Sequence, residues 1–105
     1  MVVLSQRAKR QIRDVLVHTA RQFGLQQYRK YDGLIDDALD ELERSPLIGR
    51  HRPDIHPDAW IYHIARRGHR ARHLFLYRIR EDVQIGRFLH DSMDIPRHWP
   101  KEWVH

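Results

Sequence analysis

The chain has 105 residues, of which 41% are hydrophobic, and its formal net charge is +5 at pH 7. This length suits one domain spanning residues 1–105, and the absence of cysteine excludes a disulfide framework and a cysteine-based zinc site. No apolar run approaches the roughly 20 residues of a membrane span, and the apolar start is far too short for a signal peptide, so we expect a soluble cytoplasmic protein.

The first half of the sequence predicts two helices. Ser5 is a typical N-cap, and the apolar residues after it recur at helical spacing over residues 6–23. Gly24 follows, where a helix commonly ends. A second periodic segment covers residues 27–44 and ends before Pro46, because proline disfavours helical geometry in the residue before it. Two helices joined by so short a link pack as an antiparallel hairpin.

The second half of the sequence predicts a sheet. Residues 45–58 hold three prolines and form an irregular connection, long enough to suggest a functional loop. The apolar pattern then alternates, with turns at Arg67-Gly68 and Glu81-Asp82, and it predicts strands near residues 60–66, 72–80 and 83–89. The apolar residues 2–4 are suited to a further short strand. We therefore predict a two-layer α+β fold, in which a short N-terminal strand and a helix hairpin pack on an antiparallel sheet.

Charge is distributed unevenly along the chain. Arginine supplies sixteen of the nineteen basic residues. The first predicted helix is basic and the second is acidic, which we interpret as electrostatic matching of neighbouring helices. Nine arginines lie between residues 44 and 80, with aromatic residues among them. Such a surface suits RNA, an acidic partner strand along the sheet, or simply solvent, while Phe75 and Tyr77 are expected in the core.

The sequence offers little for metal or covalent chemistry. Nine histidines are present, but none has the helical HExxH spacing that places two ligands on one face. The three serines lie in no nucleophile elbow, and the glycines form no phosphate-binding loop. We expect neither a metal site nor a cofactor, and no small-molecule substrate.

Three stretches of the sequence carry a family signal: SPLIGRHRPD at residues 45–54, LYRI at 76–79 and LHDSMDIPRH at 89–98. With the order of the predicted elements, they resemble the RelE/ParE toxin superfamily of bacterial type II toxin–antitoxin systems. The last stretch most closely resembles the ParE branch.

The resemblance leaves an endoribonuclease as one interpretation. Toxins of the RelE branch cut messenger RNA on the ribosome, with basic side chains on the sheet and a histidine, tyrosine or arginine near the chain end. His90 matches the position of that histidine, and Arg72 and Arg78 are the candidate cations. However, Leu74 stands where the nuclease branch usually has an arginine, three residues before Tyr77. The set that would activate the 2′-hydroxyl, hold the phosphate and protonate the leaving oxygen is incomplete.

The preferred interpretation makes His90 a structural corner, with Asp91, Ser92 or Asp94 as its local hydrogen-bond partner. By resemblance to the ParE branch, the chain is then a non-enzymatic toxin. Characterised ParE toxins inhibit DNA gyrase, and a ParD-type antitoxin neutralises them. A third possibility is a family member that has lost toxicity and persists as a binding module.

We expect an antitoxin- or target-binding surface on the late strands and the chain end. Its proposed residues are Arg78, Arg80, Arg87, Trp99 and Trp103. For the two tryptophans, capping of the core is an equally good alternative, because tryptophan is enriched both in cores and at interfaces.

Overall fold

A computed structural model describes residues 1–66 and 69–103 of the chain. In chain order its elements are strand β1 (Val2–Leu4), helix α1 (Gln6–Phe23), helix α2 (Leu25–Arg44), strand β2 (Arg50–His51), strand β3 (Trp60–Arg66), strand β4 (His69–Ile79) and strand β5 (Val83–His90). Single-turn 3-10 helices lie at Pro46–Ile48, Ile95–His98 and Lys101–Trp103. The predicted turn at Arg67-Gly68 lies outside the described residues. Within those residues, no helix is long and apolar enough to cross a membrane.

The helix hairpin forms as predicted, and α2 begins two residues earlier than expected. The side chain of Ser5 accepts a hydrogen bond of 3.0 Å from the Ala8 amide, which caps the first turn of α1. The Ser5 hydroxyl also donates to the Gly86 carbonyl oxygen at 2.6 Å. Gly24, at a φ of 88°, ends α1 and begins α2. The cap therefore both starts the helix and attaches it to β5.

The sheet has five strands in the order β1-β5-β4-β3-β2. The predicted antiparallel meander of β3, β4 and β5 is confirmed. The predicted short N-terminal strand, β1, joins this sheet by pairing in parallel with β5, which the sequence did not predict. The two strands are separated by the helix hairpin and most of the sheet, and a parallel pair needs such a long connection. The result is a mixed, open sheet with α1 and α2 on one face.

Both faces of the sheet are covered. The helix side buries one cluster, which includes Ile35, Leu42, Phe75, Tyr77 and Ile85. The other side, called the back face here, buries a second cluster that includes Leu74, Leu76, Leu89, Ile95 and Trp99. The last two belong to residues 95–103, called the C-terminal tail here. The tail therefore takes the place of a second layer on the back face.

The glycine of the Ile48-Gly49-Arg50 stretch has a steric role. A Cβ atom on Gly49 would lie 2.3 Å from the Tyr77 hydroxyl oxygen and 2.5 Å from the Ile61 carbonyl oxygen. That hydroxyl donates to the Pro46 carbonyl oxygen at 2.8 Å. The loop can approach the sheet this closely only without a side chain at residue 49. The predicted core position of Tyr77 is confirmed.

Candidate functional site

A groove of about 870 Å³ lies between the helix hairpin and the end of the sheet where β4 and β5 pair. Val15 and Thr19 of α1, Phe23 at its end and Tyr31 of α2 line the helical wall. Phe23 is 69% exposed, which is unusual for a phenylalanine. The lining also contains polar and charged side chains, namely Asp14, His18, Gln27, Arg72, His73 and His90. One wall of the groove is thus apolar, and the other carries polar and charged side chains.

His73 lies on the inner wall of the groove. Its Nδ1 atom shares a hydrogen bond with the Tyr31 hydroxyl, and its ring stacks on Phe88 with centroids 5.1 Å apart. Burial, followed by the neighbouring His90, lowers the pKa of His73 to about 4. Burial also raises the pKa of Tyr31 to about 12. Both groups are therefore neutral at pH 7, and they join α2 to the sheet.

His90 stands opposite His73 across the strand pair, with its ring edge-on at 5.3 Å. Its Nδ1 atom lies 2.6 Å from the Ser92 hydroxyl oxygen and accepts the Ser92 amide at 3.1 Å. The Asp91 carboxylate is 3.5 Å from the same nitrogen. Because Nδ1 accepts a hydrogen bond, the proton of the neutral ring belongs on Nε2. His90 thus has the local partners that a structural corner needs.

The back face carries a second polar feature, formed by β5 and the C-terminal tail. Arg87 is 4% exposed and donates two hydrogen bonds to Glu102, of 2.8 and 3.0 Å. It also donates to the Gly86 carbonyl oxygen at 2.6 Å. The hydrogen bonds from Arg87 lower the pKa of Glu102 to about 2, so this carboxylate stays charged over most of the pH range.

Aromatic contacts hold the tail beside this pair. The Arg78 guanidinium lies 4.2 Å above the Trp103 ring and its Nε atom donates to Gln84 at 2.7 Å. Trp99 and Trp103 meet edge to face at 5.2 Å, and Trp99 is 8% exposed. A Cβ atom on Gly86 would lie 2.3 Å from Pro100 and 2.7 Å from Trp103. The tail therefore packs directly against the backbone of β5.

The five residues assigned to a binding surface have different environments. Arg87 and Trp99 are buried, and Trp103 packs against Trp99, which supports the capping alternative for the tryptophans. Arg80 lies at the surface and pairs with Asp58 at 3.0 Å. Arg78 is engaged by Trp103 and Gln84. Of the five, Arg80 remains the best placed to meet another molecule, and its role in binding stays a prediction.

Comparison with known families decides between the branches. Residues 2–95 match the family model described as ParE toxin of type II toxin-antitoxin system, parDE. The chain belongs to the ParE toxin family. It is also similar to a solved structure titled "Chromosomal ParDE TA system from P. aeruginosa", with 17% sequence identity and a TM-score of 0.70. That similarity covers 85% of this chain and 92% of the other, and it concerns the fold. A comparison with curated proteins finds no match.

As a ParE family member, the chain brings only part of the nuclease set together. His90 and Arg72 line the same groove, whereas Arg78 lies on the back face beneath Trp103. Leu74, at the position of the usual nuclease arginine, is 1% exposed and packs in the back-face cluster. Among the described residues, no three histidine or acidic side chains lie close enough to hold a metal ion.

Two groove residues escaped the sequence analysis of the site. Tyr31 fits the apolar stripe of α2, and His73 is one of nine histidines, none of which has the helical HExxH spacing. The available signal was the strand register, since His73 alternates with Phe75 and Tyr77 and therefore shares the helix side of the sheet. The hydrogen bond to Tyr31 depends on how α2 lies on the sheet, which no local pattern encodes.

Proposed function

We propose that this chain is a non-enzymatic inhibitor of DNA gyrase that acts in the cytoplasm and is held inactive by a ParD-type antitoxin. Membership of the ParE family supports the toxin class, and the resemblance to characterised ParE toxins supports the target. The observation that carries the non-enzymatic part is the burial of Leu74 where a phosphate-binding arginine would be needed.

The chemistry of the groove supports the same proposal. Cleavage of RNA by its own 2′-hydroxyl needs a base, an acid and a cation positioned around one phosphate. His73 is hydrogen-bonded to Tyr31, and its lowered pKa makes it a weak base at neutral pH. His90 uses Nδ1 for Ser92. Each imidazole is therefore already engaged by a neighbour within the protein.

The endoribonuclease remains the second candidate, because one observation favours it. Arg72 and His90 line the same groove, together with His73. A phosphate in the groove would meet one guanidinium and two imidazoles. These groups could cleave RNA only if His90 acted as the general acid. The substitution His90→Ala therefore separates the two candidate functions.

The apolar wall of the groove supports an antitoxin contact there. A phenylalanine that is 69% exposed beside Val15 and Tyr31 offers a hydrophobic anchor point of the kind enriched at protein interfaces. We propose that apolar side chains of the antitoxin insert into the groove against Phe23. This places the main antitoxin contact on the helix side, away from the buried Arg87 and Trp99.

Induction of the chain in growing bacteria tests the proposal. We expect growth arrest with loss of negative supercoiling in a reporter plasmid and intact transcripts. Transcripts cut on the ribosome, with unchanged supercoiling, would instead support the endoribonuclease.

Co-expression with the product of the neighbouring antitoxin gene tests the partner. Growth should recover, and Phe23→Ser should weaken that recovery. Leu47→Ser is the matched control, since Leu47 is 70% exposed but lies in the loop after α2. An equal effect of both substitutions would contradict the assignment of the antitoxin to the groove.

A further inference from the structure

We infer that the outward face of α1 binds the sugar–phosphate backbone of duplex DNA. This face, called the basic ridge here, is formed by Arg10, Arg13 and Arg21, with Arg7 and Lys9 beside it. Residues 10, 13 and 21 lie on the side of α1 opposite Ala8, Ile12 and Leu16, which pack into the core. The ridge runs from Arg10 to Arg21, which are eleven residue steps apart, or about 16 Å at the α-helical rise.

Arg10, Arg13 and Arg21 of the basic ridge form no ion pair in the described part of the chain, whereas Arg7 beside them contributes, after Arg87, to the lowered pKa of Glu102. Elsewhere in the described chain arginines form ion pairs, as Arg52 does with Asp54 and Arg87 with Glu102. Across residues 1–66 and 69–103, no ion pair within 4.0 Å involves a ridge residue. The side chains of Arg10, Arg13 and Arg21 are exposed, as are those of Arg7 and Lys9 beside them. They are therefore available to an external anion at no cost in broken internal pairs.

The neighbouring helix carries the opposite charge, so the two sides of the hairpin differ in electrostatic potential. Between Asp32 and Glu43, α2 holds six acidic residues and no basic one. Burial and the nearby Asp32, Asp40 and Asp37 raise the pKa of Asp36, as expected for crowded like charges. A polyanion approaching the hairpin would be attracted to α1 and repelled by α2, which orients the chain on it.

The composition of the basic ridge favours a phosphate backbone over a protein. The centre of a protein interface is depleted of charge and rich in apolar side chains. The outward positions from 10 to 21 are charged or polar apart from Val17, and Asp14 is the one acidic residue among them. The groove beside Phe23 offers the apolar surface that a protein partner needs. The groove would therefore bind protein, and the basic ridge would bind DNA.

The composition also favours a duplex over a single strand. Proteins that bind single strands place aromatic rings between their cations, because each unstacked base can then stack on a ring. Between residues 6 and 22, α1 contains no aromatic residue other than His18, which lines the groove. A ridge of cations without stacking partners matches recognition of duplex phosphates alone, which is independent of base sequence.

This inference goes beyond the proposed function. Gyrase works on duplex DNA, so a toxin that also binds the duplex would be retained where its proposed target acts. Binding to DNA is measured without gyrase, so either idea can fail while the other stands.

The test is fluorescence anisotropy of the purified chain with a labelled duplex of arbitrary sequence, over a range of salt concentrations. The variant Arg10→Gln/Arg13→Gln/Arg21→Gln removes three ridge charges. The control Arg50→Gln/Arg97→Gln/Lys101→Gln removes three exposed charges from β2 and the C-terminal tail. Both variants lower the formal net charge from +5 to +2. Thermal unfolding is measured for each to establish that it is folded.

We expect the ridge variant to lose duplex binding by tenfold or more near 0.1 M salt, and its log–log salt slope to fall by about 3. The control variant should lose less than threefold. The inference is overturned if both variants weaken binding equally, if the unmodified chain does not bind duplex DNA, or if it binds single-stranded RNA of the same length more tightly.

Discussion

Arg87 and Glu102 join the fifth strand to the C-terminal tail through two parallel hydrogen bonds of 2.8 and 3.0 Å. The guanidinium is buried, whereas the carboxylate is half exposed. Parallel hydrogen bonds between an arginine and a carboxylate are strong and directional. They fix the tail over the apolar back face of the sheet. The tail after Ile95 lies beyond the matched ParE region.

Loss of this pair should loosen the tail. Glu102→Ala leaves a guanidinium buried without its partner, and breaking a fully buried pair typically costs about 3–5 kcal/mol. Because water reaches Glu102, we expect a loss of about 1–3 kcal/mol in the free energy of unfolding, measured by chemical denaturation. Lys101→Ala, an exposed neighbour, is the control. Equal stability of Glu102→Ala and the unmodified chain would show that the pair does not anchor the tail.

The close approach of the tail to β5 predicts opposite outcomes for two glycine substitutions. In Gly86→Ala the new Cβ atom would meet Pro100 and Trp103, so we expect a loss of about 1–3 kcal/mol and a change in tryptophan fluorescence. Gly33→Ala has open space around its new Cβ within α2 and should stabilise the protein by about 0.5–1 kcal/mol. A well-tolerated Gly86→Ala would contradict the packing of the tail on the strand.

Acid should destabilise the protein partly through His73. The pKa of this residue is about 4 in the folded state and near 6.5 when unfolded, so the unfolded chain binds more protons between these values. The contribution of neutral His73 to the free energy of unfolding is therefore complete above pH 6.5, and it is lost as the pH falls toward 4. After allowance for its partial exposure, the loss amounts to about 1–2 kcal/mol.

The measurement is the free energy of unfolding at pH 7 and at pH 4.5. His73→Gln keeps a hydrogen-bond acceptor for Tyr31 but does not titrate, so its stability should fall less on acidification than that of the unmodified chain. His18→Gln, at an exposed histidine of α1, is the matched control. If the free energy of unfolding fell equally on acidification for all three proteins, His73 would be as easily protonated in the folded state as in the unfolded one.

His90→Ala distinguishes the structural corner from a general acid. Its hydrogen bonds lie near the surface, so we expect a loss of about 1 kcal/mol rather than the larger cost of a fully buried bond. Toxicity should fall only as far as folding does. A well-folded variant that has lost ribosome-dependent RNA cleavage present in the parent would assign His90 to catalysis, where a general acid typically contributes 10²–10⁴-fold.

The reciprocal substitution, Leu74→Arg, is not expected to create RNA cleavage. The structure adds a reason, because Leu74 packs inside the back-face cluster and an arginine there would bury an unpaired charge. We expect it to unfold the protein, so the decisive substitution remains His90→Ala.

Local patterns in the sequence predicted most of the fold. Ser5, Gly24 and Pro46 mark helix ends through their own backbone and side-chain chemistry, so the helices were predictable to within two residues. The alternation from Trp60 onward predicted three strands and their antiparallel order. The parallel pairing of β1 with β5 was not predictable, because it joins segments some eighty residues apart through contacts that leave no periodic signal.

The candidate site was less predictable for the same reason. His90 was identified from its family position, but its neighbour His73 and the hydrogen bond with Tyr31 require the register and the helix placement together. Likewise, Arg87 was expected at a surface because charged side chains usually lie there. The carboxylate that allows its burial comes from Glu102, fifteen residues later in a segment without a regular pattern.

We propose that this ParE family member inhibits gyrase and cuts no RNA. The most direct measurement is a supercoiling assay in which the purified chain is titrated into gyrase and relaxed plasmid, with transcript integrity followed in a parallel translation reaction. We predict that supercoiling falls with toxin concentration, that linear plasmid accumulates, that equimolar antitoxin restores activity, and that transcripts stay intact. Unaffected supercoiling with transcripts cut on the ribosome would contradict the claim and place the chain among the endoribonucleases.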